Sequence, residues 1–163
     1  MLKANQKRKV KSGAGTFVII ASKYNARYVD AMLNAARAEL KRAGVAKIKI
    51  IRVPGAFEIP AVAAKLARRG FMQPPSPEAP VAAIVCLGVI LRGQTVHAEF
   101  IGRATTEALM SISVSYAVPV IHEVLLLENE EQARVRCLDK KFNRGTEAAQ
   151  TALEMAGVMR GLK

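Results

Sequence analysis

Tryptophan is absent from this 163-residue chain, and only three Tyr and five Phe are present. A folded core must therefore be aliphatic, built from Ala, Val, Ile and Leu. Cysteine is scarce too. Cys86 and Cys137 stand far apart, which excludes a disulfide framework and a metal-ligand spacing. Both are expected to be small core residues or tolerated free thiols. Long apolar runs are missing: none reaches the roughly 18 residues of a membrane span. The five-residue FVIIA (17–21) is no secretion-signal core. The expected location is the cytoplasm, with no membrane partner. Acids are outnumbered, 13 against 25 Lys and Arg, and none occurs before Asp30. Histidine occurs only at positions 97 and 122.

What is present is apolar. Hydrophobic residues make up 51% of the chain, which excludes disorder over most of it and fits one buried domain. Residues 1–15 form a basic tail holding Lys3, Lys7, Arg8, Lys9 and Lys11, and the domain is expected over 16–163. Such a tail reads either as a nucleic-acid arm or as a solvated, disordered terminus. Of the net charge of +12, about +7 belongs to the body, and a positive field attracts a phosphate-bearing substrate. No aromatic-rich basic stripe accompanies the charge, which argues against a nucleic-acid partner.

From Thr16 onward, short apolar runs alternate with helical patterns. FVIIA reads as a buried strand. Tyr28, Val29, Met32, Leu33, Ala36 and Leu40 recur at steps of three and four, the mark of an amphipathic helix that Gly44 ends. In KIKIIRV (47–53), Ile48 and Ile50 alternate with lysines, as in a strand. A helix is expected from Pro60 to Arg69, with Gly70 as its stop. FMQPPSPEAP (71–80) holds four prolines and reads as a surface loop. VAAIVCLGVI (81–90) is continuously apolar, like a central parallel strand. A helix over about 95–116, a strand over 118–127, and helices near 129–138 and 145–160 complete the chain. The pattern predicts a single α/β domain: a four-stranded parallel sheet with right-handed crossovers and helices on both faces, a flavodoxin-like three-layer sandwich. Ligands of such sheets bind beyond the carboxyl ends of the strands, where the strand order reverses.

Four segments lie near those ends: SKYN (22–25), PGAFE (54–58), LRGQTVH (91–97) and the strand around His122. In RGQTVH, Gly93 permits close backbone approach, and Gln94 and Thr95 sit where a helix begins. Free N–H groups there favour a phosphate or carboxylate. His97, in the first turn, is placed to shuttle protons near neutral pH. The alternative makes Thr95 a helix cap and His97 a surface residue.

VPGAFEIP (53–60) and GVILRGQTVHAEFI (88–101) resemble two motifs of the lumazine synthase family. SKYN, EQARVR (131–136) and NRGTEAA (143–149) match its further signatures in the same order, so the resemblance runs from about residue 16 to 160. It implies condensation of 5-amino-6-(D-ribitylamino)uracil with 3,4-dihydroxy-2-butanone 4-phosphate, with no metal or organic cofactor. It further implies that His97 is the general acid/base and that the backbone at Gln94 and Thr95 holds the phosphate. Arg136 of a neighbouring subunit would join that phosphate. Tyr24 would stack on the pyrimidine, Ala56, Phe57 and Glu58 would receive the ribityl chain, and main-chain groups of Val89, Ile90 and Leu91 would read the pyrimidine edge. Asn25, Arg144 and Glu147 are secondary candidates.

The chain departs from the family in places. His122 stands where an aromatic, often Phe, covers the pyrimidine from the adjacent subunit; a hydrogen-bonded strand histidine is the other reading. Arg144 stands where lysine is common, Ala56 where Ser often occurs, and Val96 where Pro is frequent. The resemblance implies a homopentamer with shared active sites. For a 60-subunit shell the signals conflict: the tail is polar and Gly-rich and the 71–80 loop long, yet the connection from Arg136 to Gly145 is short. Rival readings are a riboflavin synthase on the same scaffold, against which a phosphate site argues, a basic nucleic-acid module, and an idle scaffold homologue.

Overall fold

In the computed structural model, residues 15–72 and 80–162 are described. Most of the basic tail and positions 73–79 of the Pro-rich loop lie outside the described residues. β1 (Thr16–Ser22) is followed by α1 (Ala26–Arg42), β2 (Lys47–Val53), α2 (Ile59–Met72), β3 (Val81–Leu91), α3 (His97–Tyr116) and β4 (Val120–Leu127). A short helix α4 (Glu130–Ala133) runs into a π-helical turn (Arg134–Leu138), and α5 (Arg144–Gly161) closes the chain. The four strands form one sheet in the order β2-β1-β3-β4, and all three pairings are parallel.

β1 and β3 are interior strands, so both of their faces need apolar cover. Phe17, Ile19 and Ala21 point to one face with Val85, Leu87 and Val89, where α1 and α5 cover them. Val18 and Ile20 point to the other with Ile84, Cys86 and Ile90, beneath α2 and α3. Complete burial of side chains such as Phe17, Ile19 and Leu40 contributes about 1.5–3 kcal/mol each. Both cysteines are buried and free. Burial pushes the Cys137 thiol up to about 12 and the Cys86 thiol higher still, so neither supplies a thiolate.

Expectations shift at several element ends, β4 for example starting at Val120 rather than at 118. α2 passes through Gly70 to Met72, because a glycine within a helix costs only about 1 kcal/mol. α3 starts at His97 rather than Thr95. The helix expected over 129–138 is an α-turn continued by a π-turn. Along β2, Ile48 packs on the core but Ile50 remains 38% exposed; β2 is an edge strand. Among the described residues, no helix is long and apolar enough to cross a membrane.

Contact between α1 and α5 depends on Gly145. A Cβ there would lie 2.0 Å from the Met32 carbonyl oxygen, a backbone atom that cannot yield without moving α1. Gly145→Ala is expected to cost about 3 kcal/mol or more, an overpacking penalty. Gly157→Ala, in the same helix, meets nothing closer than an Arg160 nitrogen at 3.8 Å, and should be neutral or stabilising by up to about 1 kcal/mol. Thermal melts of both variants check this contrast.

Candidate active site

The strand order reverses between β1 and β3, and the two strands end at different heights. β1 pairs with β3 only as far as Leu87, whereas β3 continues to Leu91. The Ile84 and Arg92 N–H groups donate to Pro119 and Leu127 on the β4 side. By strand alternation, even-numbered residues of β3 face β4, and Val89 and Leu91 face the space left by β1. The main-chain edge expected of Ile90 is therefore turned toward β4, and Ile90 reaches the cavity through its side chain. The Val89 carbonyl already accepts from Asn25 Nδ2 at 2.8 Å. Asn25 makes that bond from a left-handed conformation (φ 54°), which asparagine tolerates.

The turn after β1 is tied to the turn after β2. The Lys23 N–H donates to Val53 O at 2.8 Å and the Tyr24 N–H to Pro54 O at 3.1 Å. Gly55 N–H donates to Glu58 Oε2 at 2.8 Å, which draws that carboxylate back onto its own turn. Ala56 is buried beside Gly88 of β3, where close packing comes chiefly from Val124 of β4. A Cβ at Gly88 would meet Val124 at 3.1 Å and Ala56 at 3.5 Å. Tyr24 and Phe57 project outward, 74% and 60% exposed.

After β3, Arg92 pins the next loop. Its guanidinium pairs with Glu99 of α3 and, through Nε, with Glu128 Oε2 at 2.7 Å. The cap position of α3 is Val96, with no side-chain cap bond. Thr95 is therefore not the cap, and the positive end of α3 carries N–H groups without a side-chain acceptor. His97 is exposed, with no hydrogen-bond partner among the described residues. A cavity of about 640 Å³ opens here, a volume suited to a small-molecule ligand. Its lining includes ten of the fifteen predicted residues: Tyr24, Asn25, Ala56, Phe57, Glu58, Val89, Ile90, Leu91, Thr95 and His97. An adjoining hollow of about 560 Å³ continues past Phe57 and His97 to Phe100 and Arg103. Arg92, unassigned from sequence although it stands in the RG pair, lines the cavity as well.

Five predicted residues lie outside it. Gln94 is exposed on the same loop. His122 lies on β4, the edge strand beyond β3, with its ring against α3, and Arg136, Arg144 and Glu147 gather around Glu123 on the other face of that strand. His122 pairs in register with Cys86, well before the end of β3. Its Nε2 lies 2.9 Å from Thr106 Oγ1, whose hydroxyl also lies 2.8 Å from Gly102 O. Both contacts are hydrogen bonds only when Thr106 donates to the carbonyl and accepts from Nε2–H. That selects the tautomer with Nδ1 unprotonated. On the opposite face of β4, Glu123 is 5% exposed and pairs with Arg144. Sequence reading missed Glu123, although an acid inside VIHEVLLL (120–127) was a visible signal. Burial raises its carboxyl to about 7 despite the facing guanidinium. Among the described residues, no group of three or more His, Cys, Asp or Glu is placed to hold a metal.

Burial holds the His122 imidazole below its ordinary value. The folded state then binds fewer protons than the unfolded one as pH falls through about 6.5, and stability is lost in that direction. His122→Phe removes the effect. Wild type should lose ground to this variant in melting temperature between about pH 7.5 and 5. A gap that stays constant across that range contradicts a neutral, half-buried imidazole.

Residues 15–160 match the 6,7-dimethyl-8-ribityllumazine synthase family. The 6,7-dimethyl-8-ribityllumazine synthase of Xanthomonas campestris pv. campestris (strain B100) is 40% identical over 145 residues, 88% of each chain. That of Stenotrophomonas maltophilia (strain R551-3) is 39% identical over 148 residues, 90% of each. With the match spanning nearly the whole sheet and every wall of the cavity, this chain belongs to the 6,7-dimethyl-8-ribityllumazine synthase family of transferases.

Proposed function

We propose that this protein condenses 5-amino-6-(D-ribitylamino)uracil with 3,4-dihydroxy-2-butanone 4-phosphate to 6,7-dimethyl-8-ribityllumazine, phosphate and water, the penultimate step of riboflavin biosynthesis, in the cytoplasm. The observation that carries this reading is the cavity at the β1–β3 reversal. It gathers ten of the fifteen expected residues, His97 among them, at the uncapped start of α3, in a chain of this family.

The chemistry needs proton transfer and positioning more than a protein nucleophile. The 5-amino group of the uracil attacks the ketone, and an imine forms with loss of water. Loss of a proton from the adjacent carbon expels phosphate and leaves an enol, which takes up a proton at its terminal carbon to become a methyl ketone. The ribitylamino nitrogen then closes the ring with loss of a second water. His97, exposed and unpartnered, carries protons between these steps. The phosphate lies at the N-terminus of α3, where the loop at Gln94 and Thr95 offers N–H groups and the helix dipole favours an anion. Tyr24 supplies a flat surface for the pyrimidine, Leu91 its main-chain edge, and the 56–58 turn takes the ribityl hydroxyls. No metal or organic cofactor enters this scheme.

The site is completed between subunits. Among the described residues, the cavity carries no unpaired arginine, since its Arg92 is engaged by Glu99 and Glu128. The opposite edge of the molecule carries His122 and Arg136 away from its own cavity. A head-to-tail ring brings one edge onto the next cavity, and a pentamer is the closed ring assigned here. Exposed Phe57, Phe100, Met110 and Val114 provide the apolar surface that such contacts bury.

Native mass measurement should give five chains per particle. Following the lumazine chromophore, His97→Ala is expected to lower kcat by about 10²–10⁴-fold, the range of a general acid/base. Arg136→Ala should raise KM for the sugar phosphate about 10- to 100-fold, the worth of a charge-assisted hydrogen bond. An assembled wild type that makes no lumazine from the two substrates contradicts the assignment.

A further inference from the structure

Glu123 has no part in the chemistry described above, yet it is the most deeply buried acid near the β4 edge. Its two oxygens accept from Arg144 Nε at 3.0 Å and Nη2 at 2.9 Å, a side-on pair that matches the planar fork. Arg144 Nη1 donates to Glu147 Oε2 at 2.5 Å. A guanidinium has five N–H groups, so two remain, one on each terminal nitrogen.

The arginine is fixed at both ends. Its main chain opens α5, where Asn143 Oδ1 caps the helix by accepting from Gly145 N–H at 2.9 Å. Its tip is held by Glu123 from within. The side chain still keeps 26% of its surface exposed, against 7% for Glu123, so the arginine reaches the surface of the β4 edge while the glutamate lies beneath it. Arg136 stands in the adjacent π-turn within electrostatic reach of Glu123, with no salt bridge of its own among the described residues.

A stabilising role alone is a poor account of this arrangement. A buried ion pair often contributes no more than apolar side chains of similar volume. α5 is already secured by Ala148, Ala149, Ala152, Leu153 and Ala156 in the core. What the pair provides, and an apolar contact does not, is a single direction for the arginine fork.

We propose that Glu123 is a positioning residue for the substrate site: holding Arg144 side-on from beneath, it aims the two remaining N–H groups out of the β4 edge toward an oxygen acceptor on a substrate in the adjoining subunit. This rests on the reading of the β4 edge as half of a shared site. Glu123 itself does not touch substrate.

The test is a comparison of both KM values, kcat and melting temperature for assembled wild type, Glu123→Gln, Glu123→Asp, Arg144→Met and the double variant Glu123→Gln/Arg144→Met. Arg144→Met should raise one KM about tenfold, the loss of a hydrogen bond from a charged donor. Glu123→Gln should raise that same KM about three- to tenfold with kcat nearly unchanged, and the double variant should be no worse than Arg144→Met, as for residues acting in series. Glu123→Asp, which keeps the charge on a shorter stem, should move the same KM by about two- to threefold. A Glu123→Gln protein whose melting temperature shifts while both KM values stay put overturns the proposal, as do effects that multiply in the double variant. If Arg144→Met leaves both KM values unchanged while His97→Ala and Arg136→Ala behave as expected, Arg144 is outside the site and the proposal falls, with the reaction itself intact. Absence of lumazine from wild type would instead remove the functional reading on which the proposal rests.

Discussion

β1 stops at Ser22 and pairs with β3 only to Leu87, and from that mismatch follows the geometry of the cavity. Parallel strands joined by helices in the order β2-β1-β3-β4 diverge on either side of the β1–β3 pair. The turn after β1 is tied toward β2 by Lys23 and Tyr24, while β3 runs on alone. The unpaired β3 edge would carry the cost of unsatisfied polar groups in a dry core. Here it meets one protein donor, Asn25, and otherwise an open cavity. Main-chain groups freed by topology thus become available to a ligand without any dedicated side chain.

The second constraint is electrostatic. Arg92 in the cavity wall is neutralised by two carboxylates, and Arg144 at the distant edge by two others. Paired in this way, both arginines serve as rigid struts more than as free charges. Arg136, with no salt bridge among the described residues, and the amino end of α3, with no side-chain cap, are the attractors for an anion in the proposed scheme. In the proposed shared site, a substrate carrying phosphate would be held by both when two copies meet. On that proposal association and catalysis are coupled, and the exposed aromatic side chains at the cavity mouth would find cover in the same step.

Much of this was legible in the residues. The continuous apolar run at 81–90 marks an interior strand because both of its faces lie under helices. Gly93, Thr95 and His97 mark a loop that lines the cavity because a strand end and a helix start coincide there. Other features were not readable. Whether Thr95 caps α3 depends on backbone geometry, which placed Val96 at the cap. Which β3 carbonyls face the cavity depends on pairing register, and a shift of one residue would exchange Ile90 with Leu91. The pairing of Glu123 with Arg144 joins positions 21 apart, across a turn whose path no local pattern specifies. The role of Gly145 is invisible for the same reason: its contact is Met32, on a helix at the other end of the chain.

The central claim is that each active site takes His97 from one chain and Arg136 from its neighbour. Mixing tests it most directly. His97→Ala and Arg136→Ala subunits, each impaired alone at sugar-phosphate concentrations well below the wild-type KM, are unfolded together, reassembled and assayed there as mixed rings. In a shared site, random mixing places an intact His97 opposite an intact Arg136 in about one interface in four, so activity should return to about a quarter of wild type. Mixed rings no more active than the average of the two parents would show that the residues act within one chain, contrary to the geometry described.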